Sequence, residues 1–157
     1  MNMGVGSRQR ERVQGYIAAG QRDGAVLAAG GGRPTDLPLG WYVETTVFTD
    51  VTNAMTIARE EIFGPVLSLI PFANEQDAIR IANDSDYGLA GSVWTADVAH
   101  GIAVARQVRT GTCGVNQYSA ELCAPFGGYK ASGIGREMGP EGLSAYLEYK
   151  SIAPLEV

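Results

Sequence analysis

The chain has 157 residues, the size of one ordinary domain, and its 45% apolar and 18% charged residues are a globular balance without a disordered signature. A formal net charge of -5 with scattered basic residues excludes a surface that tracks phosphates, so no nucleic-acid partner is expected. No apolar run approaches the ~18 residues of a membrane span, the opening M-N-M-G-V-G-S is no leader, and two cysteines without a C-x-x-C make no disulfide framework, so a cytoplasmic protein away from membranes is expected.

The first helix is predicted over residues 8–23, capped by Ser7, with Val13, Tyr16, Ile17 and Gly20 on one face. Arg8, Arg10 and Arg12, interleaved with Glu11, read as an exposed face of that helix. A short apolar strand at residues 25–29 is broken by Gly30-Gly31-Gly32-Arg33-Pro34, and a loop runs to Pro38. Residues 41–48, rich in β-branched and aromatic side chains, predict a second strand, and residues 53–59 hold one helical turn. Residues 66–72 are apolar almost throughout and predict a strand buried on both faces.

Asn74 caps a predicted helix that ends at Asn83, with Ala78, Ile79 and Ala82 inward. Residues 88–95 read as a strand. Asp97 caps the next helix, whose apolar stripe is Val98, Ile102 and Ala105. Residues 110–117 form another strand, a glycine-laced loop runs to Gly139, a helix covers residues 141–148, and residues 151–157 close the chain as a strand. From Val66 onward the order is β-α-β-α-β, which implies an α/β fold with a parallel sheet, counted as one domain.

Ligands of open α/β sheets bind beyond the carboxyl ends of the strands. The long loop after residue 117 is in such a place, and its A-P-F-G-G-Y-K-A-S-G-I-G-R-E-M-G mixes aromatics and charges among glycines, which favours an ordered loop over a disordered one. A tight connection needing positive φ is its purely structural reading. The second notable stretch, E-E-I-F-G-P-V at residues 60–66, puts two carboxylates before an aromatic, a Gly-Pro turn and a strand.

These two motifs, in this order and spacing, resemble the C-terminal part of the aldehyde dehydrogenase superfamily. G-A-x-x-x-x-G-G-x-R-P and G-W-Y-V-E-T-T-V-F nearer the start are similar to the family too, and the resemblance covers nearly the whole chain. Thr45 departs from it, standing where the family has a proline before the threonine. The resemblance implies a parallel-sheet αβα segment of the catalytic domain over residues 1–150 and a C-terminal oligomerisation strand over residues 151–157.

The resemblance also implies roles. Glu61 reaches the ribose beside the nicotinamide of NAD or NADP, where a carboxylate accepting two hydroxyls anchors the ring for hydride transfer. Phe63 packs near that ring, and Gly64-Pro65 set the turn. Glu60 reads as a solvated or salt-bridged charge. Phe126 is the substrate-pocket aromatic. Glu137 assists proton movement, with an ion pair to Arg136 or Lys130 as its alternative. Asn116, at the end of a strand, holds the site loop through backbone hydrogen bonds.

Family catalysis is covalent: a cysteine thiolate attacks the aldehyde, hydride passes to NAD(P)+, and a glutamate-activated water hydrolyses the thioester. The resemblance places that cysteine, that glutamate and the dinucleotide fold upstream of the matched segment. Cys113, mid-strand, reads as a small core residue. Cys123 has no neighbour in sequence that would activate a thiolate, and His100 reads as a surface residue of a helix. Neither Gly133-Ile134-Gly135 nor Gly30-Gly31-Gly32 has the strand-turn-helix context of a dinucleotide fingerprint. The expectation is a C-terminal segment of a NAD(P)-dependent aldehyde dehydrogenase, inactive alone, with little cofactor binding of its own. It would form a homo-oligomer through its last strand and its uncovered apolar surface. The alternative is a non-catalytic assembly module that pairs with an N-terminal half or a full-length relative.

Overall fold

The computed structural model describes residues 2–3, 6–118 and 121–154, and the chain divides into two compact units, Met1–Ser85 and Asp86–Val157.

In the first unit, β1 (Asn2–Met3) pairs antiparallel with β3 (Tyr42–Val43). A three-stranded sheet has the order β2 (Val26–Ala29), β4 (Thr46–Thr49), β5 (Val66–Ser68), antiparallel at the first pairing and parallel at the second. Three helices complete it: α1 (Ser7–Arg22), α2 (Thr56–Arg59) and α3 (Glu75–Asn83). The core lies here. Val13 and Ile17 from α1 meet Val43, Phe48, Val51, Ile57 and Ile62, and Phe48 is fully buried. Burying such a side chain contributes about 1.5–3 kcal/mol. Gly20, on the predicted face of α1, is needed there, because a Cβ would stand 2.9 Å from Ile57 Cδ1.

In the second unit, β7 (Ala90–Val93) runs parallel to β8 (Thr112–Val115), joined by α4 (Val98–Ala105) as a βαβ crossover. β6 (Tyr87–Gly88) pairs antiparallel with β9 (Tyr129–Lys130), and α5 (Gly139–Ser144) follows. Among the described residues of this unit, the buried ones are all glycines: Gly88, Gly101, Gly114, Gly128 and Gly142. They are points of close approach. A Cβ at Gly101 would come within 2.7 Å of Val115 Cγ1, so α4 lies on β8 only because that residue has none.

The fold is mixed α/β with parallel sheet pieces, and several local expectations hold. Asn74 caps α3 by accepting from Asp77 N at 3.0 Å, and Asp97 caps α4 by accepting from His100 N at 3.0 Å. Others change. Gly6, not Ser7, is the cap of α1, with no side-chain bond. The segment at 41–48 is two strands, broken at residues 44–45. The strand expected over residues 66–72 keeps only three residues, and Leu67 and Phe72 are 54% and 62% exposed rather than buried on both faces. Its parallel pairing with β4 runs only from Thr46↔Val66 to Phe48↔Ser68, after which β4 turns through Asp50 at φ 55°. The α4 stripe is turned outward at Val98 and Ile102, because Gly101 takes the contact with β8. Ala82 of α3 is exposed, and the last helix ends at Ser144. Residues 151–154 form no strand, since a strand needs a ladder partner and they have none among the described residues; residues 155–157 of that expected strand lie outside the described residues.

Candidate active site

Residues 60–66, between α2 and β5, carry the first group of expected site residues. Ile62 is buried and anchors the stretch in the core. On either side of it the backbone is strapped to α1: Arg12 Nη2 donates to the Glu61 carbonyl and Gln9 Nε2 to the Phe63 carbonyl, both at 2.6 Å. Phe63 adopts φ 56°, a left-handed conformation that costs a residue with a side chain about 1–3 kcal/mol. Gly64 then presses on α1, where a Cβ would stand 2.5 Å from Val13 Cγ2. The Pro65 carbonyl accepts from Thr46 N at 2.8 Å and delivers the chain into β5.

With Ile62 turned in, its neighbours are turned out. Glu61 is exposed and Phe63 is 77% exposed. Glu60 differs: its carboxylate accepts from the Tyr16 hydroxyl at 2.8 Å, a structural tie that keeps the charge partly solvated. Sequence patterning assigns none of Gln9, Arg12 and Tyr16 a part at this stretch: it places Tyr16 on the packed face of α1 and Arg12 on its exposed face, where Arg12 in fact holds the strap. Their signal was the i, i+3, i+7 spacing on α1 beside the core residue Val13.

The second group lies in the other unit, on the loop after β8. Asn116, at φ 55°, makes two side-chain bonds to Thr95, accepting from its N–H and donating to its carbonyl at 2.8 Å each. Its own N–H donates to the Val93 carbonyl at 2.8 Å. The amide thus adds one more rung to the β7–β8 ladder and turns the chain into the loop, the holding role expected of it. Further on, Phe126 and Glu137 form an antiparallel bridge, Phe126 N to Glu137 O at 2.7 Å and Glu137 N to Phe126 O at 2.8 Å. Two expected site residues that stand eleven positions apart are therefore brought together by backbone.

Arg136 staples this loop, its Nη1 donating to the carbonyls of Gly128 (2.9 Å), Gly135 (2.8 Å) and Ile134 (3.2 Å) while the guanidinium lies 5.5 Å from the Tyr129 ring centre. The ion pair considered between Arg136 and Glu137 does not occur among the described residues; the Glu137 side chain is exposed. Phe126, half-buried, borders three cavities, of about 240, 140 and 460 Å3. Of the five non-glycine residues with positive φ among the described residues, four lie in these two stretches: Phe63, Asn116, Lys130 and Met138. Such conformations concentrate at ligand sites, where surrounding structure holds the chain in them.

The thiols are free and differ in setting. Cys113 is half-buried, and burial pushes its thiol above the ordinary range, with a hydrogen bond to Thr110 opposing in part. This is the inert core character expected of it. Cys123 is exposed, and its N–H donates to Glu121 Oε1 at 3.5 Å. His100 is exposed on α4. Gly30-Gly31-Gly32 lead into irregular chain and then β3, not a helix. No group of three or more histidine, cysteine or acidic side chains is placed to hold a metal among the described residues.

Residues 3–152 match the model of the aldehyde dehydrogenase family. The chain belongs to that family. It is 54% identical over 143 residues to the geranial dehydrogenase of Castellaniella defragrans, covering 91% of this chain and 30% of that protein. It is 49% identical over 151 residues to the betaine aldehyde dehydrogenase of Brucella anthropi, covering 94% and 31%. Among solved structures, the Mycobacterium tuberculosis aldehyde dehydrogenase complexed with NAD+ superposes with a TM-score of 0.91 at 58% identity, over 93% of this chain and 30% of that one. The chain spans about 30% of the length of the family relatives it matches.

Proposed function

We propose that this chain supplies the C-terminal part of a NAD(P)-dependent aldehyde dehydrogenase site. Glu61 accepts the hydroxyls of the ribose beside the nicotinamide, Phe63 packs on that ring, Phe126 walls the aldehyde pocket and Glu137 relays a proton. When bound, the cofactor accepts the hydride of aldehyde oxidation. The chain's own residues bind and orient. A strap with Ile62 pinned inward, two carbonyls fixed by α1 and a left-handed Phe63 presents Glu61 and Phe63 outward with little freedom left to lose on binding. That outward pair on a rigid strap is the observation that carries the reading. An exposed carboxylate beside an exposed aromatic suits a ribose diol next to a flat ring. The M. tuberculosis relative was solved with NAD+, which favours NAD over NADP. Neither cysteine is assigned the nucleophile's part: burial holds Cys113 toward its thiol form, and the assignment of the family's reacting cysteine lies outside the segment matched here.

The test is a chimera in which residues 3–152 replace the matching segment of the M. tuberculosis enzyme. Aldehyde-dependent NADH formation at 340 nm is expected. Glu61→Gln should raise KM for NAD+ about tenfold or more, the loss of a charge-assisted bond. A folded chimera with no turnover would overturn the reading.

A second property follows from the bare second unit. With only glycines buried among its described residues and Tyr146, Tyr149 and Ile152 82–85% exposed, the chain associates, with a second copy or with a polypeptide carrying the remaining family length. Gel filtration at low micromolar concentration should show a dimer or larger; a clean monomer would remove homo-association. Free cysteines suit a reducing cytoplasm. No helix of the described residues is long and apolar enough to cross a membrane.

A further inference from the structure

Helix α4 is apolar on every side. From Val98 to Ala105 its one polar side chain is His100, and a helix of that kind is normally covered all round. Here one side is covered. Gly101 is pressed on Val115 of β8, and Val104 and Ala105 are half-buried. On the other side Val98 and Ile102, four residues apart, are 53% and 43% exposed, and Arg106 takes the next step along the same row. Trp94, just past β7 and four residues before Val98, is 69% exposed. Ala99 and Ala103, small and exposed, lie beside the row and allow close approach.

The charges stand only at the ends of the helix, and they differ in sign. Asp97 caps the start, its Oδ1 accepting from His100 N at 3.0 Å, and Arg106 and Arg109 follow the end. About 13 Å of uncharged helix separates Asp97 from Arg106. A second α4, turned over about a twofold axis beside Gly101 and Ile102, would set its Arg106 opposite this Asp97. The same register would set its Arg109 opposite this Trp94, a cation over an indole ring, and bring the two Ile102 side chains together beside the axis. A parallel copy would oppose Asp97 to Asp97 and Arg106 to Arg106, so charge selects the antiparallel pair. Opposed helix dipoles favour it too.

We propose that this outward face of α4 is where two copies of the chain meet, antiparallel about a twofold axis. A twofold contact needs a surface that is its own complement. This one is apolar along its middle, acidic at one end and basic at the other, which is the complement of the same surface turned over. Removing Trp94, Val98 and Ile102 of both copies from water supplies the attraction, and the end charges set the register. The contact gives a face to the self-association proposed above and is independent of the dehydrogenase reading.

Sedimentation velocity of the 157-residue chain over a series of micromolar concentrations tests it. The parent should show a monomer–dimer equilibrium. Ile102→Asp puts two carboxylates beside the axis and should weaken the dimer at least about hundredfold, whereas Ile102→Leu should keep it. Arg106→Glu should weaken it about tenfold, and added salt should weaken the parent more than this variant. Both positions are exposed, so circular dichroism should show the fold of each variant unchanged. A further readout needs no loss of association: in a Cys123→Ser background, Ile102→Cys should give a covalent dimer under glutathione exchange. A dimer unchanged by Ile102→Asp, or one in which Ile102→Cys stays uncrosslinked, would move the contact to another face, such as the segment carrying Tyr146 and Ile152, and overturn the proposal. A parent chain that stays monomeric would overturn it as well. NADH formation by the chimera bears on neither result, so failure here and failure of the dehydrogenase reading are separable.

Discussion

The strap at residues 60–66 and the loop that follows Asn116 present their candidate residues by opposite means. The strap is held from outside itself, by α1 side chains on its carbonyls and by Ile62 in a core that includes fully buried Phe48. The loop is held from within, by the Phe126–Glu137 bridge, the Arg136 staple and close approaches at glycines. A unit with buried apolar side chains carries its own stability; one whose buried positions are glycines depends on hydrogen bonds and on whatever covers it. The contrast implies that Glu61 and Phe63 are presented by a self-sufficient scaffold, whereas the cavities at Phe126 belong to a softer one.

The largest effect expected from this contrast is at Phe48. Phe48→Ala should cost about 3–5 kcal/mol in urea denaturation followed by circular dichroism, and a loss under 1 kcal/mol would mean the core of the first unit is not what supports the strap. Gly64→Ala forces a methyl onto Val13 and should cost about 1–3 kcal/mol, with amide signals of Glu61 and Phe63 shifting together. Unchanged signals there would show the strap is not seated on α1. Asn116→Ala removes two bonds to Thr95 at a left-handed residue and should cost about 1–2 kcal/mol. Hydrogen exchange should show the loss confined to β7, β8 and the loop. In the parent chain, amides of α1 and β4 should exchange far more slowly than those of β7 and β8; equal protection would erase the contrast.

The smallest effect is set by acid. Asp23, Asp77 and Asp84 are all held below the ordinary aspartate range: by the Thr56 N–H and hydroxyl, by the Ala73 N–H and Arg80, and by Asn53 and Arg59 respectively. Their folded values are depressed, so their stabilisation is complete above the unfolded value of about 3.9 and is lost as pH falls through the lower folded values. All three are in the first unit. Its unfolding midpoint should fall below about pH 4, and Asp84→Asn should flatten that fall; an unchanged slope would detach these carboxylates from stability.

Much of the first unit was legible in sequence because its signals are local. Val13, Ile17 and Gly20 repeat at helical spacing, and Asn74 and Asp97 stand one residue before apolar-periodic runs. The motifs around Glu61 and Phe126 were legible as a resemblance, and so was the family. Three things were not. The segment at 66–72 is apolar because of its surroundings, but strand length depends on how far β4 runs beside it, and Asp50 turns β4 away. The stripe of α4 has the right period, yet a glycine and not Val98 or Ile102 makes the contact. The lining of the 240 Å3 cavity brings Leu89, Tyr118 and Phe126 to one place, and their separation in the chain carries no such signal.

The most direct test is a crystal structure of the chimera carrying residues 3–152 with NAD+ bound. The Glu61 carboxylate should lie within hydrogen-bond distance, about 2.6–3.2 Å, of the ribose hydroxyls next to the nicotinamide. Density placing NAD+ in order with Glu61 turned to solvent would contradict the account.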